Sequence, residues 1–133
     1  MKVKRVIINA DGASRGNPGP AAIGATIKDE KGQLLASISQ RIGRATNNQA
    51  EYRALIAALK EAVKLGAIEA SIYLDSELVV KQLSGKYRVK NAALKPLYQE
   101  VKKLQGRLRG SVVNHIPRQQ NVEADSLANA TLG

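Results

Sequence analysis

The chain has no cysteine, no phenylalanine, no tryptophan and a single histidine among its 133 residues. Without thiols it can form no disulfide, zinc finger, iron–sulfur cluster or nucleophilic cysteine, and one imidazole cannot build a His-rich metal centre. Any metal here must be held by oxygen. The four tyrosines are the whole aromatic content, too little for the stacking platforms that bind single-stranded nucleic acid. No stretch approaches the ~18–20 apolar residues of a membrane span, and the run Val6–Ile8 is too short for a signal-peptide core. The expected setting is intracellular (cytoplasmic), away from membranes. The length, with 44% hydrophobic residues, predicts a single domain over 1–133 that buries roughly two-thirds of its unfolded surface.

Positive charge is abundant and unevenly placed. Lysine and arginine number 21 against 11 acids, a net charge of +10. Between Lys86 and Arg118 stand nine basic residues and one acid, Glu100. Such a stretch is either a solvated helix face or a surface for phosphate backbones, where neutralisation releases condensed counterions. With so few aromatics, a duplex recognised by backbone and shape is the better partner.

The pattern along the chain alternates strands and helices without repeats or linkers. Val3–Asp11 reads as a strand running into a Gly/Pro-rich turn, Ser14 to Pro20. Ile23–Lys28 and Leu34–Ile42 form a hairpin around Asp29-Glu30-Lys31-Gly32. From Asn48 the period changes: Leu55, Ile56, Leu59 and Val63 share a helical face, with Glu51 opening the helix and Gly66 stopping it. Ala70–Leu74 is a strand, Glu77–Leu83 a short helix, Ala92–Leu104 a helix and Val112–Ile116 a strand. A terminal helix, capped by Asn121, runs through Thr131. This order predicts a mixed sheet with helices packed on it, with polar residues converging just past the strand ends.

Four carboxylates carry the chemistry. Each has an ordinary reading: Asp11-Gly12 as a turn, Glu51 and Asp125 as first-turn helix acids, Asp75 as a helix cap. Taken together, Asp11 and Asp75 at strand ends and Glu51 and Asp125 on helices can face one spot. So crowded, they repel unless cations lie between them. An all-oxygen site beside a phosphate-binding surface suits two Mg²⁺ ions, with Mn²⁺ as a substitute, and phosphodiester hydrolysis. The loop Gly12–Gly19 lacks the Gly-Lys-Ser/Thr ending of a nucleotide-binding P-loop and the dinucleotide glycine spacing, so kinase and NTPase readings fail.

These residues resemble type 1 ribonuclease H. Asp11-Gly12-Ala13-Ser14-Arg15-Gly16-Asn17-Pro18-Gly19-Pro20 is similar to that family's first motif and Thr46-Asn47-Asn48-Gln49-Ala50-Glu51 to its second. Asp75-Ser76 is similar to the third, and His115 with Asn121 through Asp125 to the fourth. The resemblance covers about residues 3 to 130. It implies an α/β ribonuclease H-like fold, a five-stranded mixed sheet flanked by helices, and endonucleolytic cleavage of the RNA strand of an RNA/DNA hybrid. Carried across, Asp11 bridges two metals, Glu51 and Asp75 complete one site, and Asp125 holds the other. Glu51 also meets a ribose 2′-OH. Asn17, Asn47 and Asn48 match positions reading the minor groove, and Arg44, Thr46 and Asn91 a pocket gripping a DNA-strand phosphate.

The departures are informative. Lys86-Tyr87-Arg88-Val89-Lys90-Asn91 passes directly towards the next helix, where well-known bacterial members carry a basic, Trp-containing protrusion. Tyr87 stands either in place of a Trp lining the DNA-strand channel or as a packing residue. Glu77 follows the third motif, where some members have Gln. Proton handling stays open between His115, placed in a strand, and Arg118, just beyond Pro117, which can stabilise charge but cannot act as a base near neutral pH. Two alternatives remain to the hybrid-cleaving nuclease: a hybrid-binding module without catalysis, and an enzyme that also cuts double-stranded RNA. The chain is expected to be monomeric, with no obligate protein partner.

Overall fold

The structure is a computed structural model that describes residues 4–132. Its elements are β1 (Arg5–Ser14), β2 (Gly19–Lys28), β3 (Leu34–Ala45), α1 (Asn47–Lys64), β4 (Glu69–Leu74), α2 (Glu77–Leu83), α3 (Lys95–Gln105), β5 (Gly110–His115) and α4 (Val122–Ala130), with a 3₁₀ turn at Arg118–Gln120. The order of elements is the one expected from the sequence. The strands form one five-stranded sheet in the order β3-β2-β1-β4-β5. β1, β2 and β3 pair antiparallel, whereas β1–β4 and β4–β5 are parallel.

Several boundaries differ from the sequence reading, for physical reasons. Residue Val3, the expected start of β1, lies outside the described residues. Asp11-Gly12 does not end β1: pairing with β2 continues through Ser14↔Ala21, and only the parallel pairing with β4 stops at Ala10↔Leu74. Asp11 is thus mid-strand on one side and at a strand end on the other. Helix α1 opens at Asn47 rather than Glu51. Thr46 accepts from the Gln49 N–H, while the Gln49 side chain accepts from the Thr46 N–H, a reciprocal cap that satisfies two first-turn donors. Glu51 therefore lies beyond the first turn, and dipole stabilisation of a first-turn acid does not explain it. Between α2 and α3, residues 84–94 contain no helix or strand, so the basic protrusion is absent, as the sequence indicated. Pro96 stands at the start of α3, and Ala92 to Leu94 form a turn before it.

The core lies between the sheet and α1, α2 and α3, with Ile8, Ile27, Leu55, Leu59, Ile72 and Val101 fully buried. Within it Tyr52 on α1 donates from its hydroxyl to Gln82 Oε1 on α2 at 2.6 Å, and both residues are buried. Burial also raises the Tyr52 pKa, keeping the phenol protonated as that bond requires. Replacing Tyr52 by Phe keeps the ring but leaves Gln82 without its donor. A loss of about 1–2 kcal/mol is expected, with an unchanged m-value in urea unfolding.

Candidate metal centre and nucleic-acid surface

The β1–β4 pairing ends at Ala10↔Leu74, which brings Asp11, still within β1, level with Asp75, the residue that follows β4. Glu51 reaches them from α1, which packs on the sheet. Gly12 permits this approach, because a Cβ there would collide with the backbone of Ala50 and Glu51. The Gly12 N–H donates to Glu51 Oε1 at 2.9 Å. One oxygen from each of Asp11, Glu51 and Asp75 lies within 4.8 Å of the others, close enough to share a cation. Asp125, half-buried on the first turn of α4, comes within hydrogen-bonding reach of Asp11. Three of the four expected carboxylates, Asp11, Glu51 and Asp75, therefore converge, with Asp125 beside Asp11 on α4.

Their electrostatics fit a cation site. Asp11 is 4% exposed and Glu51 8%. Burial and the neighbouring Glu51 and Asp75 carboxylates push Asp11 up to about 10, with Asp125 adding to the shift. Glu51 is also raised, chiefly by burial, although the Gly12 N–H and the Arg118 charge oppose this. Glu51 Oε2 is buried and accepts no hydrogen bond among the described residues. An orphaned carboxylate oxygen is costly in a dry site unless a ligand meets it. The donor set is all oxygen, as hard divalent cations prefer.

Asn121 corrects one sequence reading. Its side chain does not cap α4. The residue is 1% exposed, its amide donates to Ala10 O at 3.0 Å and Asp75 Oδ2 at 2.9 Å, and its Oδ1 accepts from Asn9 Nδ2 at 3.0 Å. That oxygen is turned towards Asn9 on β1 and makes no bond to the N–H groups of the helix. The Asp75 cap reading fails similarly, since Ser76 accepts from the Val79 N–H. From sequence, Asn before an acidic first turn has the signature of a cap; its use as a buried strut depends on which strand lies beneath.

The other expected residues divide into groups. His115 ends β5, exposed, close enough to Glu77 for its charge to help hold that carboxyl low, behind the larger effect of Lys81. Arg118 lies exposed in the 3₁₀ turn, where its charge reaches Glu51. Asn17 Oδ1 accepts from the Asn47 N–H at 2.9 Å, which ties the β1–β2 turn to the start of α1 beside Asn48. Arg44 lines a cavity of about 220 Å³ with Gln49, Arg53, Ala93 and Pro96. Thr46 and Asn91 do not line it: Thr46 caps α1, and Asn91 Oδ1 accepts from the Ala93 N–H at 2.8 Å. Tyr87 is exposed, with the Lys81 ammonium 5.0 Å from its ring centroid, and lines a cavity of about 460 Å³ with Arg88, Lys95 and Tyr98. It packs on lysine rather than in the core.

The mixed five-stranded sheet with a carboxylate cluster at its centre places the protein among the ribonuclease H-like folds. The profile of a family described as "Reverse transcriptase-like" matches residues 9–131. The RNase H1 of the archaeon Halobacterium salinarum superposes with a TM-score of 0.94 at 44% identity, covering 96% of this chain and 97% of that one. The N-terminal RNase H domain of a Mycobacterium tuberculosis protein, solved as a fusion with maltose-binding protein, gives 0.92 at 50% identity, covering 95% and 97%. An RNase H1 designated LC11, solved in complex with an RNA/DNA hybrid, gives 0.89 at 43% identity, covering 94% of each chain. The chain belongs to the type 1 ribonuclease H family. It spans 35% of the full length of the mycobacterial protein, which is named bifunctional, and 64% of the Halobacterium ribonuclease HI.

The buried acids give a stability prediction for the metal-free protein. Because the folded-state pKa of Asp11 lies above its ordinary value, the folded state holds a proton that the unfolded chain releases. That contribution is complete below about pH 4 and is lost as pH rises towards 10. In EDTA at pH 7, Asp11→Asn is expected to raise stability by about 1–3 kcal/mol, with the gap narrowing below pH 5. Thermal melts across pH 4–8 read it; a gap independent of pH is the contrary result.

Proposed function

We propose that residues 1–133 act as one ribonuclease H domain, a monomeric intracellular endoribonuclease that cleaves the RNA strand of RNA/DNA hybrids with two Mg²⁺ ions, replaceable by Mn²⁺. The observation that carries this reading is the buried cluster of Asp11, Glu51 and Asp75 with its unpartnered Glu51 oxygen. The hybrid-bound relative, 43% identical over nearly the whole chain, supports the choice of substrate. When bound, two divalent ions lower the barrier to in-line attack on phosphorus by activating water and stabilising the leaving oxygen.

The chain's own residues set the geometry for that chemistry. Asp11, Glu51, Asp75 and Asp125 would hold the ions, and the Gly12 N–H and Asn121 amide fix Glu51 and Asp75. Asn17, Asn47 and Asn48 lie together at the start of α1 to meet the minor groove and its 2′-OH groups. Arg44 would meet a DNA-strand phosphate at the cavity it lines with Gln49 and Arg53, while Thr46 and Asn91, capping Gln49 and Ala93, hold the backbone on either side of it. Tyr87, Lys86, Arg88 and Lys90 line the opposite flank. Arg118, whose charge reaches Glu51, would stabilise charge at the scissile phosphate; His115, at the exposed end of β5, would carry a proton.

Matched RNA/DNA, RNA/RNA and DNA/DNA duplexes, each with Mg²⁺ or EDTA, test the activity. Mg²⁺-dependent cleavage of the hybrid supports the proposal, cleavage of RNA/RNA widens it, and binding without cleavage leaves only a hybrid-binding module. Asp75→Asn is expected to reduce kcat by more than the ~10²–10⁴-fold that acid–base help supplies, with folding intact by circular dichroism. His115→Ala should lose rate with a changed pH profile if it is the proton carrier; a loss in Arg118→Ala that does not vary with pH assigns the role to charge stabilisation. Removing Lys86, Arg88 and Lys90 together should weaken hybrid binding and flatten its salt dependence, by about 0.9 in log–log slope for each phosphate no longer neutralised.

A further inference from the structure

A second basic site lies on the sheet face that carries Asp11, away from the Lys86–Lys90 segment. We propose that the cleft among Arg15, Arg41 and Arg44 is a phosphate subsite that holds a backbone phosphate of the bound duplex flanking the cleavage point; this rests on the hybrid-nuclease reading above.

The cleft is produced by a β-bulge. In a regular strand Arg41 and Arg44, three apart, point to opposite faces. Here Ala22 pairs with Arg41 but Ala21 pairs with Gly43, so Ile42 is the extra residue, and Gly43 takes φ +80°. The partners of Arg41 and Arg44 are therefore Ala22 and Pro20, two apart on β2, and both arginines point to one face. Arg15 joins them from the β1–β2 turn, where its N–H donates to Pro20 O at 2.8 Å. The result is a cavity of about 500 Å³ whose other walls include Pro20, Ala21 and Leu132.

This face is the one on which α4 packs. Ser39 Oγ donates to Leu127 O and Arg41 Nε to Thr131 O, each at 2.6 Å. Asp11 pairs with Gly24, the partner of Ser39, so the cleft and the Asp11 side chain share a face. By strand and residue spacing Arg41 lies roughly 12 Å from Asp11 along the sheet. The turn that carries Arg15 also carries Asn17.

Charge and geometry together favour phosphate. The cavity lining contains no acid, and none of the three arginines forms an ion pair among the described residues. The Arg41–Thr131 bond uses Nε alone; it anchors the guanidinium and leaves the two terminal nitrogens directed elsewhere, a preset fork of the type that grips phosphate oxygens. Capping the end of α4 explains Arg41 but neither Arg15 nor the convergence of all three. The cleft differs from the smaller cavity where Arg44 meets Gln49 and Arg53, which neither Arg15 nor Arg41 lines.

The test is steady-state cleavage and equilibrium binding of a hybrid, over a range of salt, for the full chain and its variants. Arg15→Ala/Arg41→Ala is expected to raise KM about tenfold, leave kcat within twofold, and make the log–log salt slope shallower by about 0.9. Arg41→Lys should recover part of the affinity. Lys31→Ala/Lys64→Ala, which removes the same charge from other exposed positions, should leave the slope at the parent value. Arg15→Ala alone keeps the comparison valid if loss of the Arg41–Thr131 bond unsettles α4. Single uncharged methylphosphonates moved along each strand should weaken the parent at one flanking position, weaken the double variant no further there, and so identify the strand. If the parent cleaves hybrid while the double variant matches it, or if the Lys31/Lys64 variant loses as much, the subsite is overturned and the nuclease reading stands. If the parent neither binds nor cleaves hybrid, the functional reading falls and the subsite falls with it.

Discussion

Like-charge repulsion at the centre of the sheet is the constraint that the rest of the structure has to satisfy. Asp11 and Glu51 are buried, Asp75 is within a few ångströms, and Asp125 comes up from α4. Nothing in the fold gains from this arrangement without a cation: burial disfavours each charge, and each charge disfavours its neighbours. The cluster persists because its backbones are fixed on four different elements. Asp11 is held in pairing with β2, Asp75 follows the last pair of β4, Glu51 is carried by an 18-residue helix with a reciprocal cap, and Asp125 lies on a helix whose approach Gly24 allows. Hydrophobic packing of α1 against the sheet thus offsets an electrostatic cost localised at one end of it.

Asn121 couples these supports. Its carboxamide joins the β1 backbone at Ala10, the Asn9 side chain and the Asp75 carboxylate. Both amide hydrogens and the oxygen are therefore engaged inside the protein, the condition under which a buried polar side chain specifies one arrangement rather than destabilising it. Four residues later the same helix delivers Asp125, whose N–H donates to Asn121 O at 3.1 Å. The positions of Asp75 and Asp125 are consequently not independent, although one follows a strand and the other rides a helix.

The element order, the mixed sheet and the grouping of Asp11, Glu51 and Asp75 were legible from the sequence because they rest on local signals: period-2 and period-3.6 hydrophobic patterns, Gly/Pro punctuation, and acids close to where strands and helices meet. Most of what was not legible depends on partners distant in sequence. The strand β1 passes through Asp11-Gly12 because β2 supplies a ladder there, which turn chemistry alone does not reveal. Helix α1 starts at Asn47 rather than Glu51 because Thr46 and Gln49 cap each other, a local signal that the nearby acid obscures. Asn121 has the local look of a cap and the tertiary role of a strut. Arg41 gives no signal by itself; its alignment with Arg44 requires the register shift at Ile42, and that shift exists only in the paired sheet.

The distribution of charge then follows from the chemistry at the centre. A cluster of carboxylates repels phosphates, so a nuclease of this kind must draw its substrate in with cations placed around, not at, the reacting centre. In this chain Lys86, Arg88 and Lys90 stand on the segment between α2 and α3, Arg118 lies in the turn before α4, and Arg15, Arg41 and Arg44 gather at the β2–β3 bulge. Flexible lysines dominate the first group, on residues without regular structure. The last is three arginines on or beside a paired ladder, one of them anchored to a helix end. Mobile point charges attract a backbone in many registers, whereas preset guanidinium forks favour one. Under the proposed function, with no helix or strand in residues 84–94, fixing a duplex in register would fall to the rigid side of the sheet, and the bulge at Ile42 is the local irregularity that aligns the arginines for it.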